Sequence, residues 1–314
     1  MALDQNIVVL VGGVGGAKLV LGLSQIVPPE NLTLIVNTGD DFWHLGLKIC
    51  PDLDTVMYTL AGVVNPEFGW GLADDSTVTL DTLQKHYQFE PWFRLGDKDM
   101  ATHLLRTHLL REGHTLTEIV AILSKQIGIQ PTMLPMTDDD VPTIVETQTM
   151  GELGFQEYFV KHRWQPIVKK IRYNNYEQAK ITQSVRSALQ SADIMIIAPS
   201  NPWLSVAPIL SIPNLRELIT TCDIPRVAVT PVIGGAAVKG PTAKIMQELG
   251  LSVTATIIAQ YYSDVINGFV NDTQNEPLAL DGIKTIQFNT LMKDLDDKIR
   301  LAQSILDWIG GWGA

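Results

Sequence analysis

Five apolar, mostly β-branched residues, Ile7 to Val11, stand near the start of the chain and are cut off by glycines. A short unbroken apolar run bounded by turn residues predicts a strand buried on both faces, as in parallel sheets. Apolar residues then recur at helical spacing over 17–26 until Pro28 and Pro29 stop them. Residues 32–36 form a second apolar run, so the chain opens as a βαβ unit. The polar stretch after it, 37–43, is turn-like, and such strand exits form the ligand rim of open α/β sheets.

The pattern turns helical over 55–61, 77–87 and 99–111, and Thr115 with Glu118 predicts a capping box for a helix running to 127. Beyond a mixed stretch, 143–147 alternates like a strand and 154–163 reads as helix. Alternation then resumes: helix over 176–191, strand over 193–198, helix over 208–221, strand over 226–230, helix over 241–249. An amphipathic helix over 295–309 closes the chain. The fold class is therefore α/β: a Rossmann-like, doubly wound, mostly parallel sheet. It forms a single domain over 1–314 with a mainly helical insertion at about 53–130.

Composition narrows the function. The 314 residues are 46% hydrophobic and carry a net charge of −11, which argues against a nucleic-acid partner because phosphate neutralisation needs a basic surface. A small anionic ligand stays open, since backbone N–H groups bind phosphate inside acidic proteins. Only two cysteines occur, Cys50 and Cys222, in no CxxC pairing, which points to a reducing, cytoplasmic compartment. No apolar run reaches the length of a membrane span. The apolar surface of the helical block permits a homodimer.

The chemistry gathers at strand exits. Gly12, Gly13, Gly15, Gly16 and Lys18 follow a strand and open a helix, where close backbone approach and free N–H groups suit a phosphate. The turn matches neither familiar template: Lys18 stands where a dinucleotide fingerprint needs its third glycine, and Ala17-Lys18-Leu19 is not the Gly-Lys-Ser/Thr of a Walker loop. A tight turn serving helix–strand packing is the alternative. Lys18 opposes the helix dipole, so it faces an anion or snorkels to solvent.

Asp40 and Asp41, and Asp54 a few residues on, are clustered carboxylates able to hold Mg²⁺, to hydrogen-bond a ring or ribose, or to take a hydroxyl proton. Asp54 equally suits a helix N-cap. Arg94 offers a planar guanidinium to an anion or a stacked ring, or else pairs with a nearby acid. Ser200 and Asn201 end the strand over 193–198 with short donors and acceptors for a base edge or phosphate. The glycine-rich loop over 230–241 repeats the theme. The histidines lack zinc-site spacing and read as surface or packing residues.

Taken together, GGVGGAK from Gly12, VNTGDD from Val36, PDLDT from Pro51 and LGDKD from Leu95 resemble the 2-phospho-L-lactate transferase family of deazaflavin coenzyme F-420 biosynthesis. Ala101-Thr-His103, LPMTD from Leu134, PSNP from Pro199 and PVIGG from Pro231 extend the likeness in the same order. The resemblance implies transfer of a phosphorylated three-carbon acid from a guanylylated donor to the ribityl hydroxyl of Fo, a 7,8-didemethyl-8-hydroxy-5-deazariboflavin. Mg²⁺ is then the cofactor and GMP the leaving group. It also implies that Asp54 and Arg94 lie against the deazaflavin. The glycine turn, Lys18 and Mg²⁺ on Asp40 or Asp41 would neutralise the diphosphate. Ser200 and Asn201 would hold the guanosine end, and Asp54 or Asp41 would assist the attacking hydroxyl. Related gluconeogenesis-factor proteins, nucleotide-sugar-binding regulators, are the alternative class. The identity of the three-carbon acid stays open.

Overall fold

A computed structural model describes residues 4–237 and 240–313, so two residues of the 230–241 loop, Val238 and Lys239, lie outside the described residues. Seven parallel strands form the central sheet: β1 Ile7–Val11, β2 Leu32–Val36, β3 Thr132–Pro135, β4 Ile194–Ile197, β5 Arg226–Val229, β6 Gly268–Asp272 and β7 Lys284–Phe288. Their order is β7-β6-β5-β4-β1-β2-β3, every neighbouring pair parallel. The chain therefore leaves β1 toward one edge and β4 toward the other. The topological switch point falls between these two strands, where open α/β sheets bind ligands beyond their carboxyl ends.

The all-buried strand β1 shows how the sequence pattern works in three dimensions. Ile7, Val9 and Val11 enter one core, Val8 and Leu10 the other, so both faces need apolar residues. Helices α1 Gly13–Ser24, α2 Pro51–Leu60, α5 Leu116–Gln126 and α11 Leu295–Gly310 cover the first face. Helices α6 Gln183–Gln190, α7 Ala207–Ser211, α8 Leu215–Thr221, α9 Thr242–Glu248 and α10 Ala255–Tyr261 cover the second. The helical block between β2 and β3 also holds α3 Val78–Tyr87 and α4 Asp97–Arg111, and Thr115 and Glu118 form the reciprocal capping box the sequence announces.

Several elements differ from the sequence pattern. The stretch over 154–163 is helical as the sequence suggests, but as a π-helical turn, Glu157–Lys161, entered from a strand, Gly151–Gly154. That strand pairs antiparallel with Thr143–Thr147, which pairs in turn with Val168–Tyr173 to make a separate three-stranded sheet. Pro213 splits the helix over 208–221, and Asn214 restarts it with a left-handed φ of 65°. A hairpin of Phe42–His44 with Leu47–Ile49 occupies the exit from β2. Strands β6 and β7 carry Asn271, Asp272 and Lys284, which dilute the apolar signal a buried strand gives.

Candidate functional site

The exit of β1 is built by close packing. Gly13 begins α1 with a left-handed φ of 62°, a conformation that favours glycine. A Cβ on Gly15 would lie 2.4 Å from the carbonyl oxygen of Pro199, so the turn presses directly on the exit of β4. There Ser200 Oγ donates to the Gly12 carbonyl at 2.6 Å and receives the Gly12 N–H at 3.3 Å. Gly12, Gly13, Gly15, Gly16 and Ser200 thus meet at the switch point. Asn201 is committed nearby: its side-chain oxygen accepts from the N–H groups of Trp203 and Leu204, and its amide donates to Thr242 Oγ1 at 2.9 Å. The Lys18 ammonium donates to the Met292 carbonyl at 2.9 Å.

Four buried aspartates stand at the exit of β2 and the start of α2. Asn37 gathers two of them, its amide reaching Asp52 Oδ2 at 2.9 Å and Asp40 Oδ1 at 3.4 Å. Burial pushes the Asp52 carboxyl up to about 6, against hydrogen bonds from Asn37, the Gly13 N–H and Ser205 that favour its charge. Asp40 is raised well above the usual carboxylate range by burial, then by the charges of Asp52 and Asp41. Gln156 Nε2 donates to its other oxygen at 3.2 Å.

Asp41 differs from its neighbours. It is about 95% buried, yet neither carboxylate oxygen has a standard hydrogen-bond partner among the described residues. Lys48 Nζ stands 4.0 Å away and is itself held by Asp140 at 2.9 Å. Burial lifts the Asp41 carboxyl to about 7, with Lys48 the chief opposing influence. Two clefts of about 210 and 220 Å³ share Asp41 and Trp43 as a common wall. The first adds Thr38, Lys48 and Asp138 to Asp140; the second adds Phe42, Trp92, Thr143, Phe155 and Gln156. Buried hydroxyls of Thr38 and Thr143, also unpartnered, face this region.

Asp54 has a different setting. Helix α2 starts at Pro51 behind Cys50, so Asp54 lies inside the helix and is not its N-cap. Arg106 of α4, fully buried, grips its carboxylate through both terminal nitrogens, one of them 3.1 Å from Oδ2. Arg94 stands apart on the surface, its side chain 67% exposed, donating to Thr77 Oγ1 at 2.9 Å with Asp81 at 3.5 Å. The acids around it cap helices in exchange: Asp97 receives the first N–H groups of α3, and Asp75 those of α4. The cluster also recruits Lys48 and Arg106, absent from the sequence-level candidates, and gives separate places to Asn37 and Asp52, which the sequence shows only within the VNTGDD and PDLDT segments. Asp99, His103 and Arg106 recur at i, i+4 and i+7, a polar stripe on one helix face that signals burial with partners.

The fold and this cluster define a Rossmann-like α/β enzyme whose working groups crowd the carboxyl edge of the sheet around a glycine turn. A model of the 2-phospho-L-lactate transferase CofD family matches residues 7–295, and the chain belongs to this family. It is 39% identical over 310 residues to a phosphoenolpyruvate transferase of Streptomyces griseus, covering 96% of this chain and 98% of that one. It is 38% identical over 308 residues to a 2-phospho-L-lactate transferase of Methanocaldococcus jannaschii, covering 97% and 98%. A crystal structure of a UPF0052 family protein from Bacillus halodurans shares the fold, with a TM-score of 0.62 at 16% identity over 96% of this chain and 100% of that one. The protein is a transferase. Among the described residues no helix is long and apolar enough to cross a membrane.

Proposed function

We propose that this chain transfers a phosphorylated three-carbon acid from a guanylylated donor to the ribityl hydroxyl of Fo, releasing GMP, as a step of coenzyme F-420 biosynthesis. The observation that supports this reading furthest is Asp41, a buried carboxylate with two unpartnered oxygens standing between two clefts. With only the Lys48 ammonium, 4.0 Å away, to offset its charge, such a group is costly in an empty protein and gains a full partner from a ligand or ion. Among the described residues, no group of three or more His, Cys, Asp and Glu side chains is arranged to hold an ion. Mg²⁺ needs only one or two carboxylates when substrate phosphates and water complete its shell. Asp41 fits that donor set better than Asp40, whose oxygens already accept from Gln156 and Asn37. When bound, the ion would offset the negative charge of the donor's diphosphate.

The chain's own groups account for the rest. The N–H groups of the glycine turn at the start of α1 meet the diphosphate, and Asp52 beneath them holds Gly13 in place. Asn201 shapes the exit of β4 along the guanosine end, its amide serving the loop. Asp54, gripped by Arg106, orients the acceptor hydroxyl. Phosphoryl-type transfer rests on this kind of positioning more than on covalent help from the protein. Cys50 and Cys222 are free thiols, in keeping with a cytoplasmic enzyme.

The test is mass spectrometry of the product made from Fo with each candidate guanylylated acid, lactyl, enolpyruvyl or glyceryl. A single preferred product of the expected mass supports the reading and names the acid. Binding of a UDP-sugar, with no binding or turnover of Fo, overturns it.

A further inference from the structure

The Asp54–Arg106 pair is one end of a longer buried chain. Arg106 is fully buried, and a guanidinium keeps its charge there. Besides gripping Asp54, its NH1 reaches the Lys48 carbonyl at 3.4 Å and His103 Nδ1 at 3.2 Å. A guanidinium only donates, so this contact makes Nδ1 the acceptor and places the imidazole proton on Nε2. That nitrogen lies 3.3 Å from Asp99 Oδ1 without an aligned hydrogen bond, and Asp99 Oδ1 receives the Tyr58 hydroxyl at 2.6 Å. His103 Nδ1 stands 3.7 Å from Asp54 Oδ2, so the same guanidinium nitrogen lies between imidazole and carboxylate.

The chain joins three elements. Asp54 and Tyr58 are one turn apart on α2, Asp99, His103 and Arg106 lie along α4, and the Lys48 carbonyl belongs to the hairpin that carries Lys48 toward Asp41. Burying so many polar groups beneath two helices gives little stability over an apolar core, because desolvation offsets the attraction. Their effect is geometric: the fork fixes the direction of one carboxylate and the backbone beside the lysine that faces Asp41.

We infer that Arg106 and His103 are positioning residues of the transferase site, acting through Asp54. The inference rests on the reading that Asp54 faces the acceptor. Lysine at 106 would keep the charge but lose the two-pronged grip and the contact to His103. The expected result for Arg106→Lys is a fall in kcat of at least about tenfold and a raised KM for Fo. KM for the guanylylated donor should stay within about twofold.

The experiment is a double-mutant cycle of Asp54→Asn with Arg106→Lys, with kcat and both KM values measured per folded molecule and thermal unfolding run alongside. If Arg106 acts through Asp54, its substitution costs little further activity once Asp54→Asn is present. Fully additive losses overturn the inference, as does a lowered Tm with unchanged kcat in the folded fraction. Should Arg106→Lys fail to fold, His103→Asn in the same cycle decides, since it alters the acceptor that steadies the guanidinium while the Asp54–Arg106 ion pair stays. Absence of Fo turnover by the unaltered enzyme overturns the reading beneath; turnover with an additive cycle overturns the inference alone.

Discussion

Ser200 and Gly12, 188 residues apart in sequence, exchange two hydrogen bonds through one hydroxyl: Oγ donates to the Gly12 carbonyl and accepts its N–H. The contact locks the exits of β1 and β4 together at the point where the strand order reverses.

Ser200→Ala should therefore leave the buried Gly12 N–H without its partner and take one donor from the Gly12 carbonyl. The expected cost is about 1–3 kcal/mol of folding free energy. Equilibrium urea unfolding reads that loss, and steady-state kinetics should show a higher KM for the nucleotide donor with a smaller change in that for Fo. An unchanged donor KM would detach this contact from the phosphate turn.

Asp41 carries a prediction in which stability and activity move oppositely. Its folded carboxyl titrates near 7, against an ordinary value of 3.8 in the unfolded chain. Between those values the folded state holds a proton the unfolded chain has released, so stability falls as pH rises through the window. Asp41→Asn removes the cost of the buried charge. In chelator it should stabilise the protein by on the order of 1–3 kcal/mol at pH 8 and by little at pH 4, while transfer collapses. Calorimetry at the two pH values checks the first part and product formation the second.

Arg94 is exposed, with Thr77 and Asp81 for company. Arg94→Ala should change stability by less than about 0.5 kcal/mol. Any effect on turnover should then appear as a raised KM for Fo; a variant with normal kinetics throughout removes Arg94 from the acceptor site.

Lys18 bonds the Met292 carbonyl, in the segment between β7 and α11. Lys18→Met should lower the melting temperature yet leave the donor KM within about twofold, because the ammonium is committed to a backbone carbonyl. A tenfold rise in donor KM would return Lys18 to the phosphate.

The sequence by itself determined the fold class and pointed to the strand exits where the candidate site gathers. Apolar runs as short and unbroken as Ile7–Val11, ended by glycines, suit a strand buried on both faces, as in a parallel sheet. A glycine cluster between such a strand and a helix has few other uses, and acids after the second strand mark its carboxyl edge. Pattern did not reveal β6 and β7, whose polar residues find partners only once the sheet exists, nor the three-stranded sheet over 143–173. The tertiary structure alone decided which acid does what. Asp40, Asp41, Asp52 and Asp54 look interchangeable in sequence. Burial beside Asn37, beside Arg106 or at the edge of contact with Lys48 separates them, because a carboxylate's chemistry is set by the charges and donors within a few ångströms, and some of those, such as Gln156 beside Asp40, stand 116 positions away.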